Sequence, residues 1–188
     1  ASIKGVPAEN IFIGNGSDEV IDLAYRIFCD PQKDNVIICP PTYGMYQVSA
    51  NINDVPIKKV NLTADFQLDV AGILDAADSN TKLLFICSPN NPTGNNMNRG
   101  DVEVLLNNFP GIIIIDEAYI NFARQKSFIQ DLMEYPNLVV LQTFSKAWGL
   151  AGLRLGMALA STAIIDLMNK VKPPYNISQA TQELALKA

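Results

Sequence analysis

The chain has 188 residues, enough for one large domain, and at 48% hydrophobic and 18% charged residues it reads as globular. A formal charge of −5 without any long basic run argues against a nucleic-acid face, and no apolar stretch reaches transmembrane length. The absence of histidine excludes a serine–histidine triad and a histidine-ligated metal site within the chain.

The first predicted strand, Ile11–Gly14, leads into Gly14-Asn15-Gly16-Ser17-Asp18-Glu19 and a helix over Ser17–Phe28. Glycines permit a tight turn, and the first helical amides carry partial positive charge. An anion docked on the N–H groups of Ser17 and Asp18 and a plain helix cap, with Ser17 as N-cap, fit this segment equally. Strand Val36–Cys39 is followed by Pro41-Thr42-Tyr43-Gly44-Met45-Tyr46 and a helix over Tyr43–Asn51. An aromatic ring here suits stacking on a flat ligand. Tyr43 is the better placed of the two tyrosines, although both also fit ordinary helix packing.

Strand Pro56–Val60 and helix Val70–Ala77 carry no chemical motif. Strand Leu83–Ser88 ends in Ser88-Pro89-Asn90-Asn91-Pro92-Thr93-Gly94, ahead of a helix over Gly100–Asn108. Two prolines and a glycine restrict that loop, while Asn91 offers both an amide donor and an acceptor. Strand Ile112–Asp116 is the most hydrophobic in the chain and closes on Asp116-Glu117-Ala118-Tyr119, before a predicted helix over Phe128–Glu134. A carboxylate at that place is poorly solvated unless paired. A protonated pyridine nitrogen is a suitable partner for Asp116, and Tyr119 is placed to bond a ring hydroxyl. A strand-end acid in solvent is the bland alternative, and no second acidic cluster supports a metal.

Strand Leu138–Phe144 runs into Ser145-Lys146-Ala147-Trp148-Gly149-Leu150-Ala151-Gly152-Leu153-Arg154, after which come strand Leu155–Ala160 and helices Thr162–Val171 and Ile177–Lys187. Lys146 has apolar or small neighbours at a strand end, so it reads as a partly desolvated amine, a setting that favours the neutral nucleophile. An amine that attacks a carbonyl forms an imine. The Ser145 hydroxyl and the Arg154 guanidinium suit a phosphate. One small molecule needs both, pyridoxal phosphate.

Several strands are apolar throughout, as expected when both faces are covered. Their alternation with helices predicts one α/β domain with a mostly parallel sheet and right-handed crossovers. Polar and glycine-containing clusters follow five of the strands, so they converge on one edge where open sheets bind ligands. Neither a GxGxxG fingerprint nor a GxxxxGK[ST] loop is present, which disfavours a nucleotide-binding domain. Cys29, Cys39 and Cys87 are odd in number and read as buried free thiols of a reducing compartment, hence a cytoplasmic protein.

Taken in order, these segments resemble the large domain of fold-type I pyridoxal-phosphate aminotransferases, from Gly5-Val6-Pro7 to Lys172-Pro173-Pro174-Tyr175-Asn176. The Gly14–Glu19 and Lys172–Asn176 segments look like the histidinol-phosphate branch. The resemblance implies a three-layer α/β/α sandwich around a mixed sheet of about seven strands. It implies Lys146 as the imine-forming and proton-moving amine and Asp116 as partner of the pyridine nitrogen. Asn91 and Tyr119 then bond the ring oxygen, and Tyr43 stacks on the ring. Ser145, Arg154 and the amides of Ser17 and Asp18 hold the phosphate. Trp148 stands where the family often has phenylalanine.

The implied reaction is transamination of histidinol phosphate with 2-oxoglutarate, a step of histidine biosynthesis, by a homodimer. Aromatic aminotransferases and threonine-phosphate decarboxylases share the same cofactor residues. A non-catalytic cofactor-sensing module shares the fold. The family's N-terminal arm and C-terminal small domain are not recognisable in residues 1–188, so the chain is expected to fold and bind cofactor but to transaminate poorly.

Overall fold

The computed structural model describes residues 4–188, so the first three residues of the predicted 1–188 domain lie outside it. Its strands are β1 (Ile11–Asn15), β2 (Asn35–Ile38), β3 (Ile57–Lys59), β4 (Thr81–Cys87), β5 (Ile112–Asp116), β6 (Leu138–Thr143) and β7 (Leu155–Ala160). They form one seven-stranded sheet in the order β1-β7-β6-β5-β4-β2-β3. Neighbours are parallel except at β7, which runs antiparallel to both β1 and β6. The helices are α1 (Ser17–Phe28), α2 (Met45–Ile52), α3 (Val70–Ala76), α4 (Arg99–Asn108), α5 (Thr162–Val171) and α6 (Gln179–Ala185).

The apolar strands are explained by two cores, one on each face. In β5, Ile114 joins a core built with Val20, Ile21 and Tyr25 of α1, Tyr46 of α2 and Ile164 of α5. Ile113 and Ile115 point the other way, onto Ile73 of α3 and Val102 and Leu105 of α4. Alternate side chains of a strand leave on opposite faces, so a strand covered twice has no polar side to show. Burying each isoleucine fully stabilises the fold by roughly 1.5–3 kcal/mol. The expected three-layer α/β/α sandwich is therefore what the chain forms.

Local chemistry sets the ends. On α1, the exposed face carries an Asp22–Arg26 pair at 2.8 Å, one turn apart. Asn98 caps α4 by accepting from the Gly100 amide at 2.9 Å. Three predicted helices differ. The second begins at Met45, leaving Tyr43 in the preceding loop, and the last is confined to Gln179–Ala185 behind a Ser178 cap.

The predicted helix Phe128–Glu134 is only a short 3-10 turn, Phe128–Asp131. Its start is captured by Glu117, whose carboxylate accepts from the Phe128 amide at 2.7 Å and the Ser127 hydroxyl at 2.5 Å. Pro136 then disfavours helical geometry at the residue before it. Met133 is left exposed, so no continuous apolar face is buried there.

Candidate functional site

The direction of β7 decides which loops meet. β1, β4, β5 and β6 all end at one edge of the sheet, and antiparallel β7 begins there, with Gly156 opposite both Gly14 and Thr143. Arg154 precedes a strand yet reaches the same edge as residues that follow strands. A cleft of about 200 Å³ opens at this edge. Ser17, Asp18, Tyr43, Asn91, Asp116, Tyr119, Ser145, Lys146 and Arg154, each expected from the sequence, all line it.

At one end of the cleft lies the start of α1. Its N-cap is Gly16, at φ 77 and ψ 167, and no side chain caps it. The reading of Ser17 as N-cap is thus corrected: Ser17 is the first helical residue, and a positive φ suits the glycine before it. The opening amides keep their partial positive charge for a ligand. The backbone of β7 lies hard against this turn. A Cβ on Gly156 would stand 2.3 Å from the Ser17 nitrogen and 2.4 Å from the Gly16 carbonyl carbon.

Arg154, in the left-handed region at φ 52, holds its Nη2 3.7 Å from Asp18 Oδ2. That pair is half exposed and weak, so its guanidinium is available to an anion. The Tyr43 hydroxyl donates to Asp18 Oδ1 at 3.1 Å. Burial, then the Asp18 charge, pushes that phenol up to about 12.

Asp116 forms the floor. It is 3% exposed, and among the described residues no salt bridge reaches it. The Tyr46 hydroxyl donates to Oδ2 at 2.8 Å and the Ala118 amide to Oδ1 at 3.0 Å. Burial raises its carboxyl above the ordinary range, and these two donors oppose that shift only in part. A buried acid with hydrogen bonds but no cation is costly unless a positive group arrives. This is the feature that fits the protonated ring of pyridoxal phosphate.

A carboxyl raised on folding favours the fold below its unfolded value, about 3.9, and loses that contribution as pH rises through the folded value. Asp116→Asn removes the charge, keeps an amide oxygen to accept from the Ala118 N–H and turns an NH2 towards the Tyr46 hydroxyl oxygen. It is expected to raise the thermal midpoint of the ligand-free chain at pH 7 by roughly 2–4 °C. The gain should vanish towards pH 4, as calorimetry at a series of pH values would show. An equal gain at every pH would contradict a charge effect.

Lys146 Nζ stands 5.4 Å from the centre of the Tyr119 ring. The amine is exposed, as are Ala147, Trp148 and Gly149, so the expected desolvation of Lys146 is not met. The strand stops at Thr143, and Lys146 belongs to a loop at the mouth of the cleft. Ser145 anchors that loop through its amide, which donates to Thr143 Oγ1 at 3.1 Å. The Asn91 side chain has no hydrogen bond among the described residues. Its neighbour Asn90 ties the two loops together, donating to Pro41 O at 2.9 Å and Thr93 Oγ1 at 2.7 Å.

Three contributors were not read from the sequence: Tyr46, which holds Asp116; Asn90, which sets Asn91; and Glu117, which is 1% exposed and pins the loop after Tyr119. Gln142 Nε2 also donates to Glu117 at 2.9 Å, and burial still raises this carboxyl. The paired side chains Asn90 and Asn91 offered a signal, since a buried and a cleft-facing amide divide the work. Tyr46 offered none beyond its nearness to Tyr43. Among the described residues no cluster of three or more potential ligands is arranged to hold a metal, and Cys29, Cys39 and Cys87 are free and buried.

This architecture is the fold-type I transferase fold. A putative histidinol-phosphate aminotransferase from Erwinia carotovora atroseptica superposes with a TM-score of 0.89 at 27% identity, over 99% of this chain and 56% of that one. The histidinol-phosphate aminotransferase from Sinorhizobium meliloti, solved with pyridoxal-5'-phosphate, gives 0.84 at 25% identity, over 92% and 48%. The family model for aminotransferase class I and II matches residues 2–188, and the chain belongs to that family. In sequence it is 60% identical over 188 residues to the histidinol-phosphate aminotransferase of Cytophaga hutchinsonii. The match covers 100% of this chain and 54% of that relative, so the chain spans about half its length.

Proposed function

We propose that residues 1–188 are the cofactor-binding large domain of a pyridoxal-phosphate-dependent aminotransferase acting on histidinol phosphate, with 2-oxoglutarate as amino acceptor, in histidine biosynthesis. One observation carries the reading. Asp116, a buried carboxylate without a cation, shares a cleft with the Lys146 amine, the Arg154 guanidinium and the open amides of α1. The cofactor, when bound, supplies an aldehyde for amine exchange and a protonated ring that accepts electrons.

The chain's own groups do the rest. Asp116 holds the proton at the ring nitrogen. Asn91 and Tyr119 bond the ring oxygen, and Tyr43 covers a ring face. Ser145, Arg154 and the amides of Ser17 and Asp18 hold the phosphate. Lys146 Nζ would hold the aldehyde and, as a free amine, would take the proton from the donor's α-carbon.

Histidinol phosphate is favoured by the names of the similar proteins and by the two branch-like segments. These meet in space: Asn176 Nδ2 donates to Glu19 Oε2 at 3.1 Å and to Ile13 O at 3.0 Å. The chain spans about half the length of the relative it matches, and by itself it is expected to transaminate poorly. A homodimer in the cytoplasm completes the reading, the latter in keeping with three free thiols. Among the described residues no helix is long and apolar enough to cross a membrane.

The test is titration with pyridoxal phosphate, borohydride reduction and mapping of the modified peptide. It is followed by assay of histidinol phosphate, phenylalanine and threonine phosphate as substrates of the protein in the longest form its gene encodes. Labelling at Lys146 and preferred turnover of histidinol phosphate support the proposal. Scattered labelling of surface lysines, or none, sinks the cofactor site. Preference for another substrate keeps the site and overturns the substrate.

A further inference from the structure

Asp116 is held by a phenol that the reaction does not otherwise use. We propose that Tyr46 is a positioning residue: its hydroxyl fixes the Asp116 carboxylate so that the remaining lone pairs face the ring nitrogen of bound pyridoxal phosphate. This rests on the cofactor reading above.

The geometry leaves the phenol little freedom. Tyr46 is fully buried, and its ring stacks on Phe85 with centroids 4.7 Å apart and planes at 18°. Phe85 stacks in turn on Tyr25 at 5.4 Å and 22°. The Tyr25 hydroxyl donates to the Tyr46 carbonyl oxygen at 2.8 Å, and Tyr43 packs edge-on against the Tyr46 ring at 5.6 Å. The position of the Tyr46 hydroxyl is therefore set from α1 through the core, before any ligand arrives. A functional group held by such a supporting shell keeps its geometry through binding.

The carboxylate is fixed in the same way. Tyr46 reaches Oδ2 and the Ala118 amide reaches Oδ1, one donor on each oxygen, which sets rotation of the carboxyl group. An ionised carboxylate has about four acceptor directions, so two are left free beside the cleft that Asp116 lines. Burial and the Asp18 charge favour a neutral Asp116, while Tyr46, the Ala118 amide and Lys146 oppose them. A neutral Asp116 could not hold a proton on the ring. Tyr46 thereby serves both the direction and the charge of the acid.

The experiment uses the protein in the longest form its gene encodes and two probes. One is pyridoxal phosphate; the other is its analogue with a C–H group in place of the ring nitrogen. Affinities are read by absorbance and fluorescence titration. Tyr46→Phe removes one oxygen and keeps the aromatic stack. It is expected to weaken pyridoxal phosphate about tenfold or more and to leave the analogue within about twofold, because a hydrogen bond to a charged group is lost only where the charge is used. In an Asp116→Asn background the same change should have no further effect on either probe.

Equal weakening of both probes would mean a merely structural tyrosine, and no weakening of either would mean an idle hydroxyl; each overturns the proposal. If Tyr46→Phe does not fold, 3,5-difluorotyrosine in place of Tyr46 keeps the shape and strengthens the donor. The preference of the protein for pyridoxal phosphate over the analogue should then rise by about twofold or more, and an unchanged or lower preference overturns the proposal. A wild-type protein that binds neither probe defeats the cofactor reading itself, and the role of Tyr46 with it.

Discussion

In the longest form of the protein its gene encodes, Lys146→Ala is expected to abolish the borohydride-trapped adduct with pyridoxal phosphate and to lower transamination by at least about a thousandfold. Two tasks disappear together. The adduct needs a primary amine beside the aldehyde, and Arg154, the other cation among the residues that line the cleft, has no free nucleophile because a guanidinium stays protonated. The proton transfer from the donor's α-carbon loses its carrier as well. Binding should survive in large part, since Asp116, Arg154 and the α1 amides are untouched. The informative comparison is therefore affinity against turnover in the same preparation, by absorbance titration and by a coupled assay for glutamate. A variant that still labels at one specific site would move the nucleophile elsewhere, and retention of wild-type turnover would remove Lys146 from the reaction.

Gly156→Ala is expected to destabilise the fold by about 1–3 kcal/mol or more and to weaken phosphate binding with it. The added carbon would meet the Ser17 nitrogen at 2.3 Å and the Gly16 carbonyl carbon at 2.4 Å, both backbone atoms. A flexible side chain could swing aside, but neither partner here can. β7 is bonded on both edges, to β1 and β6, and the Gly16 turn is fixed by the start of α1. The strain must be relieved by lifting the helix start, which is the proposed phosphate seat. Urea unfolding measures the first effect and titration with pyridoxal phosphate the second. Gly44→Ala meets open space at an ordinary φ and serves as the control, with no change expected beyond about 0.5 kcal/mol. An unaltered unfolding midpoint in Gly156→Ala would show that the contact is not tight.

Much of this site was legible because its chemistry sits in loops that directly follow apolar runs. Asp116 stood out as an acid at the end of four isoleucines, and Asn91 as an amide between two prolines. Periodicity also placed α1 and α5 with their full lengths, since each keeps one apolar stripe. Other features depend on distant partners that no local pattern reveals. The Phe128–Glu134 segment looked helical, but Glu117 holds its first residues from another loop.

Lys146 looked desolvated from its neighbours in sequence, whereas the loop carries those neighbours into solvent with it. Tyr46 reads like one more packing residue on a helix, and only the approach of β5 shows what its hydroxyl touches. Strand direction is equally invisible in an apolar run, so the reversal of β7 had to come from the structure.

That reversal makes β6, the intervening loop and β7 a single hairpin, with Lys146 near one foot and Arg154 at the other. The amine and the phosphate-binding cation are thus parts of one inheritable cassette, whose span is set by the number of residues between them. Lengthening or shortening that loop would change the distance between the two grips without altering either residue. Insertions within this hairpin are expected to be excluded wherever the same ligand is kept.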